Sequence, residues 1–373
     1  IPDYPGRDRF RGFQLNTRDI APPRPTPDST SSRTSISASI FIDTADAYSD
    51  DESEVIVGKA LKGRRDEAVL ATKAAVPMGE DPNMRGGSRR WITRAVEGSL
   101  RRLQTDHIDL YQIHRPSPDT DVEETLSLLT DLMRAGKIRA FGASTVPASD
   151  IIQAQWTAER RGLARLRTEQ PPYSILNHSI EREVLPACQR YGMGVLAWSP
   201  LAKGMLTGKY RRGAPQPDTL RAKFFPKAMS DEGSLNAVEE LIPLAEDVGI
   251  PLMHMALAFV VAHPALSAAI IGPRTMEQLD GPLADAEVVL GDDVLDRIDE
   301  IVPFDGLKEP RRLTQESSIS RLLKKAWRST VLRMMPENRS VNAQKFAYFG
   351  AFLGNTRRIS SVILAENTFS AAC

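Results

Sequence analysis

The alternation of strand-like and helix-like segments that begins at residue 40 constrains this chain more than any other feature. Short runs of β-forming residues are followed by stretches with apolar residues at helical spacing, and the unit recurs about every 30 residues. Ile40–Asp43, Ala68–Lys73, Ile108–His114, Ile138–Ser144, Leu166–Gln170, Val195–Ser199 and Ala268–Ile271 read as strands. Helices are expected around Val55–Leu61, and over Trp91–Leu103 with Ser88 as N-cap. Others are expected over Val122–Ala135, Ser149–Arg161 and Ile180–Tyr191, stopped by Gly136, Gly162 and Gly192. Further helical patterns lie at 234–248 and 252–262, from Thr275 to Leu279, and over Leu290–Ile301. Strands alternating with helices imply a parallel sheet covered by helices. An open doubly wound sheet and a closed eight-stranded barrel both satisfy the pattern. The count from residue 40 is seven strands, one short of a barrel.

The two ends of the chain have a different texture. Residues 1–39 are rich in Arg, Pro, Ser and Thr, and Ala21–Pro27 can continue neither a helix nor a central strand. This segment is expected to be irregular or disordered. Residues 306–373 lose the pattern again and form an unassigned tail; a basic amphipathic helix over Ser320–Met334 and an apolar patch at Ala347–Gly354 are its only features. The rhythm also breaks at residues 202–232, where Gly, Pro, Lys and Arg accumulate. A loop this long inside a compact domain is usually functional or mobile. The expected organisation is therefore an α/β domain over 40–305 between two dissimilar flanks.

Bulk properties exclude several classes of function. Lys+Arg and Asp+Glu both number 48, which argues against nucleic-acid or membrane-surface binding by charge. Two cysteines, Cys188 and Cys373, make no disulfide framework and suit a reducing compartment. No apolar run approaches the roughly 18 residues of a membrane span. The start, Ile1-Pro2-Asp3-Tyr4, has no apolar signal core, so a cytoplasmic soluble protein is expected. A metal-dependent barrel hydrolase is disfavoured, because none of the 5 histidines lies in an HxH or HExxH spacing.

The strand ends present Asp43, Lys73, His114, Ser144, Gln170 and Trp198, with Tyr48 in the loop after Asp43. A lone Lys at a strand end is ordinarily solvated, and a lone His is ordinarily a satisfied core group. Several polar groups, each at the same end of its strand, are harder to explain by stability, and in a parallel barrel that end carries the chemistry. A tyrosine, with an unperturbed pKa of about 10, becomes a useful acid only if its phenolate is stabilised. A nearby ammonium does this, and a carboxylate would hold the ammonium charged and in place. Asp43, Lys73, Tyr48 and His114 together would polarise a carbonyl, and that chemistry needs a hydride donor.

Asp43-Thr44-Ala45-x-x-Tyr48, Lys73 closing its strand, and His114 closing Leu110-Tyr111-Gln112-Ile113 resemble the tetrad of the aldo-keto reductases. Gly136-Lys137-Ile138-Arg139 before Gly142-Ala143-Ser144, Glu169-Gln170 and Trp198-Ser199-Pro200-Leu201 are similar to further segments of that family. So are Gly204-Met205-Leu206-Thr207-Gly208-Lys209-Tyr210 and Ile271-Gly272-x-Arg274-x-x-x-Gln278-Leu279. The resemblance runs in unbroken order over about residues 40–303 and implies a (β/α)8 TIM-type barrel that binds NADPH without a Rossmann glycine fingerprint. It implies Tyr48 as general acid, tuned by Lys73 and Asp43, with His114 orienting a small-molecule carbonyl substrate. Ser144 and Gln170 would meet the nicotinamide carboxamide, and Trp198 would lie against the ring. Ser199, Leu201, Gly204, Leu206 and Lys209 would line the pyrophosphate path, and Gly272, Arg274 and Gln278 would complete the cofactor set toward the adenosine end. A guanidinium at Arg274 suits a 2′-phosphate. The implied function is NADPH-dependent reduction of aldehydes or ketones. The alternative is a nucleotide-binding regulatory or scaffold barrel with little turnover.

Three departures from the family pattern stand out. Thr145 replaces a common asparagine, and Gly281-Pro282 replaces the acid and amide that commonly hold adenine. The family's first strand, Gly-rich turn and first helix are not recognisable in residues 1–39, so the first βα unit is missing or divergent. A seven-stranded sheet would leave two open edges.

Overall fold

The computed structural model describes residues 40–215, 217, 226–273, 288–303 and 362–365. The first half of the barrel runs β1 (Ile40–Asp43), α1 (Glu52–Ala60), β2 (Ala68–Ala74), α2 (Arg89–Arg102), β3 (Ile108–Ile113), α3 (Val122–Arg134), β4 (Ile138–Ser144) and α4 (Ala148–Arg161). The second runs β5 (Thr168–Gln170), α5 (Val184–Tyr191), β6 (Gly194–Ala197), α6 (Glu232–Val248), α7 (Leu252–Ala262), β7 (Leu266–Ile271), α8 (Asp292–Ile301) and β8 (Val362–Ala365). Each strand pairs in parallel with the next, and β8 pairs with β1 to close the ring.

The eighth strand comes from the C-terminal tail that the sequence left unplaced. Val362, Ile363 and Leu364 pair with Ala269, Ile270 and Ile271, while Leu364 and Ala365 pair with Ile42 and Asp43. The seam between β7 and β1, which seven strands would leave open, is thereby filled, and the reason to expect association through unpaired edges is removed. The irregular segment expected over 1–39, the helix expected from Thr275, the helix over Ser320–Met334 and the patch at Ala347–Gly354 lie outside the described residues.

Local chemistry explains the helix boundaries. The Ser88 hydroxyl accepts the Trp91 amide at the start of α2, and Asp121 and Asp231 accept the amides of Glu123 and Ser234 at the starts of α3 and α6. The helix expected over Ile180–Tyr191 is divided into a 3-10 turn, Ser179–Glu181, and α5. Glu181 is held by the Tyr173 hydroxyl at 2.5 Å, and Glu183 leaves helical geometry at φ −137°.

Period-2 alternation sorts the strand residues into an outer face under the helices and an inner face within the barrel. Phe41, Ala71, Leu110, Ala140, Leu196, Ala268 and Ile270 pack together in one inner cluster. Two residues further along their strands come Asp43, Lys73, Gln112, Gly142 and Trp198. The inner face thus changes from apolar to polar toward the strands' C-terminal ends, which is why a polar site can sit on a packed core.

Gly142 is required by close approach. A Cβ there would fall against the Thr168 hydroxyl and within 2.6 Å of the Thr168 carbonyl oxygen, so β4 and β5 could not keep their spacing. Gly142→Ala is expected to lower stability by about 1–3 kcal/mol or more, as overpacking does. Chemical denaturation checks this; a wild-type midpoint would show that β5 gives way freely.

Candidate active site

Lys73 organises the polar layer. Its side chain is 0% exposed, and its ammonium donates to Asp43 Oδ2 at 2.5 Å, to the Thr44 carbonyl at 3.0 Å and to the Tyr48 hydroxyl at 3.1 Å. These three acceptors match the three donors of an ammonium. Asp43 is 2% exposed and takes two further bonds at Oδ1, from Gln170 Nε2 at 3.0 Å and Gln112 Nε2 at 3.3 Å. The buried pair therefore has its charge and its hydrogen-bonding capacity met, without which burial would be costly. Burial pushes the Lys73 pKa down, but the Asp43 charge and the Tyr48 oxygen more than offset this and the net shift is upward. Lys73 is a cation throughout the neutral range.

The loop after β1 brings Tyr48 over this pair. Thr44 and Asp46 continue the β1–β2 ladder, their amides donating to the carbonyls of Ala71 and Lys73. Ser49, Asp50 and Asp51 then turn at positive φ into α1. Tyr48 is 6% exposed, with the Lys73 nitrogen 4.7 Å from its ring centroid. His114, at the end of β3, meets it edge-on at 5.6 Å between centroids. Burial, then the charges of Lys73 and Arg115, hold the His114 pKa well below the usual imidazole value. The ring is thus neutral at pH 7, carrying one N–H that can donate to a carbonyl oxygen.

Beside this group lies a second polar cluster. The Ser144 hydroxyl donates to the Gln170 carbonyl at 2.9 Å. Thr145 sits in left-handed backbone at φ 57°, and its hydroxyl accepts from Trp198 Nε1 at 3.2 Å and from Arg115 at 3.4 Å. The Arg115 guanidinium also caps the His114 carbonyl at 2.7 Å and stands 5.9 Å from the Trp198 ring.

A third group follows β6. Ser199, Ala202, Lys203 and Gly204 all have positive φ, and the Ser199 hydroxyl accepts the Lys203 amide at 2.9 Å. Leu206 is buried and Leu201 half-buried, while Lys209 is exposed with its ammonium 5.4 Å from the Tyr210 ring. Gly272 is exposed at the end of β7; Arg274, Gln278 and the Gly281-Pro282 pair lie outside the described residues.

Asp43, Tyr48, Lys73, His114, Ser144, Gln170 and Trp198 are thus brought to one end of the barrel. Gln112 was missed by the sequence reading, although a polar residue two before His114 on an apolar strand signals the same inward face. The Arg115–Thr145–Trp198 contact had no sequence signal, because it joins three separate loops. Among the described residues, no group of three His, Cys, Asp or Glu side chains is placed to hold a metal ion.

Residues 34–303 match the aldo/keto reductase family, a span that contains every candidate site residue and ends before β8. The chain belongs to the aldo/keto reductase family. It is 40% identical over 283 residues to the "Uncharacterized oxidoreductase YrpG" of Bacillus subtilis, covering 72% of this chain and 85% of that protein. It is 38% identical over 247 residues to the "Aldo-keto reductase YhdN" of the same organism, covering 64% and 72%. A "Probable voltage-gated potassium channel subunit beta" of Oryza sativa subsp. japonica is 34% identical over 272 residues, covering 70% and 83%. The family and these relatives make the chain an oxidoreductase with the expected (β/α)8 barrel. The family generally uses NAD(P)H. Among the described residues, no single helix is long and apolar enough to cross a membrane.

Proposed function

We propose that the protein is an NADPH-dependent reductase converting aldehydes or ketones to alcohols, with Tyr48 as the general acid. The observation that carries this reading is the Tyr48 hydroxyl held 3.1 Å from a buried, Asp43-paired ammonium. The donor set fits the cofactor. Ser144 and Gln170 offer hydroxyl and amide groups to a carboxamide; because Gln170 Nε2 donates to Asp43, its oxygen would face the cofactor. Trp198 offers an indole face, and the turn at Ser199–Gly204 with Lys209 offers backbone amides and a cation to a pyrophosphate. Gly272, Arg274 and Gln278 would serve the adenosine end. When bound, NADPH would supply the hydride.

The chain's own residues do the rest. The His114 N–H holds the substrate carbonyl oxygen beside Tyr48. As negative charge develops on that oxygen, Tyr48 transfers its phenolic proton to it, and Lys73 stabilises the phenolate left behind. Asp43 keeps Lys73 in place. Burial of all four groups keeps competing water away. The substrate is a small carbonyl compound, and the chain works in the cytoplasm.

Fluorescence titration with NADPH, followed by a panel of aldehydes and ketones, tests the proposal; binding without turnover of any of them would overturn it. That outcome would favour a nucleotide-binding regulatory barrel, a reading supported by the relatives named as channel subunits. NADPH is expected to bind more tightly than NADH by on the order of 1.5–3 kcal/mol, the worth of a charge-assisted contact from Arg274 to the 2′-phosphate. Equal affinity for the two would remove Arg274 from the site.

A further inference from the structure

Glu169 is fully buried, sits next to Gln170 on β5, and has no place in the proton transfer described above. Side chains alternate along a strand, so while Gln170 points to Asp43 inside the barrel, Glu169 points to the outer layer. There its Oε1 accepts the Val146 amide at 3.1 Å, and its Oε2 is buried without a hydrogen-bond partner. The Thr145 amide, one residue earlier, donates to the Gln170 carbonyl at 3.1 Å. Two successive residues of β5 thus hold two successive amides of the loop after β4.

That loop needs holding. Thr145 is β-branched and sits at φ 57°, a conformation that costs free energy and persists only where its surroundings enforce it. The left-handed turn directs the Thr145 hydroxyl between Trp198 Nε1 and Arg115, and within 3.4 Å of the Ser144 hydroxyl.

We propose that Glu169 is a positioning residue for cofactor binding: through the Val146 amide it fixes left-handed Thr145, whose hydroxyl sets the Trp198 indole and the neighbouring Ser144. This rests on the reading of Ser144 and Trp198 as nicotinamide contacts. It extends that reading to a residue outside the barrel's inner face that touches neither cofactor nor substrate.

Burial pushes the Glu169 carboxyl up to about 8, against the pull of the Val146, Thr145 and Gln170 amides and the Arg115 charge. At pH 7 it is mainly a neutral acid, so Gln is a substitute of like charge that keeps the accepting oxygen. Glu169→Ala is expected to weaken NADPH binding by about tenfold or more in a fluorescence titration, because it leaves a buried amide unpartnered. Glu169→Gln should restore the affinity to within about threefold of wild type. Thr145→Val keeps the shape and removes the hydroxyl, and should reproduce the Glu169→Ala loss. The double variant should lose no more than either single one, as members of one relay do.

Wild-type affinity in Thr145→Val, or additive losses in the double variant, would overturn the relay. The Thr145→Val result stands even if Glu169→Ala fails to fold. Wild-type chain that does not bind NADPH would overturn the cofactor reading beneath it. Normal binding by wild type and Glu169→Ala alike would overturn this inference alone.

Discussion

Tyr48→Phe is expected to lower kcat by about 10²–10⁴-fold, the usual contribution of a positioned general acid. The substitution removes one hydroxyl and keeps the ring that meets His114 at 5.6 Å, so the fold should be retained. NADPH affinity should change little, because the proposed cofactor contacts lie on β4, β5, the loop after β6 and the residues that follow β7. The loss should therefore appear in turnover rather than in binding, which marks an interaction made in the transition state. The pH profile gives a sharper check. Reduction by the wild type should decline as pH rises through the apparent pKa of Tyr48, because the phenolate has no proton to give. The Phe variant should lose that limb. His114 is not expected to produce a limb near neutrality, since burial and the neighbouring cations keep its ring neutral there. If Tyr48→Phe turns over aldehydes as fast as wild type, the acid is another group.

Much of the barrel was legible because its code is local. Most strands, β5 with its Thr168-Glu169-Gln170 apart, are short apolar runs, most helices repeat at helical spacing, and the stops at Gly162 and Gly192 adopt the left-handed caps that glycine favours, at φ 65° and φ 62°. The polar layer was legible for the same reason: Asp43, Lys73 and His114 each end an apolar run, where alternation and the exit from the core coincide. Closure of the barrel was not legible. Val362–Ala365 is a four-residue apolar run in an unpatterned tail, and its partners at Ala269–Ile271 and Ile42–Asp43 are about a hundred or more residues away in sequence. Contacts of that kind leave no periodic signal. Gln112, Thr145, Arg115 and Glu169 fall between these cases. Each sits beside a residue that the pattern did pick out, but its role depends on which neighbouring strand it faces. For Glu169 the outward direction follows from alternation, while its partner, the Val146 amide, follows only from the pairing of β4 with β5.

Lys73→Met should be costly in two ways, and the two can be measured separately. The variant keeps a buried Asp43 carboxylate with only the Gln112 and Gln170 amides to stabilise it. Removing one partner of a buried ion pair typically costs about 3–5 kcal/mol, because the charge left behind has lost its hydration without compensation. A large drop in the denaturation midpoint at pH 7 is therefore expected. Asp43→Asn in the same chain removes that stranded charge, so the double variant should be more stable than Lys73→Met alone. In the wild type the sign follows from the upward shift of Lys73 above its ordinary value of 10.5. A raised pKa in the folded state contributes stability that is fully present below the unfolded value, and that is lost as pH rises through the folded one. The Lys73 contribution should thus be constant through neutrality and fade only in strong alkali. Turnover should fall as well, since Tyr48 loses the ammonium 3.1 Å from its hydroxyl and its phenolate becomes harder to form. A Lys73→Met variant that melts like wild type would show that the pair adds little to stability. One that also turns over like wild type would detach Lys73 from Tyr48 altogether. If the midpoint falls but turnover per folded molecule is unchanged, the pair is structural, and some other group stabilises the phenolate.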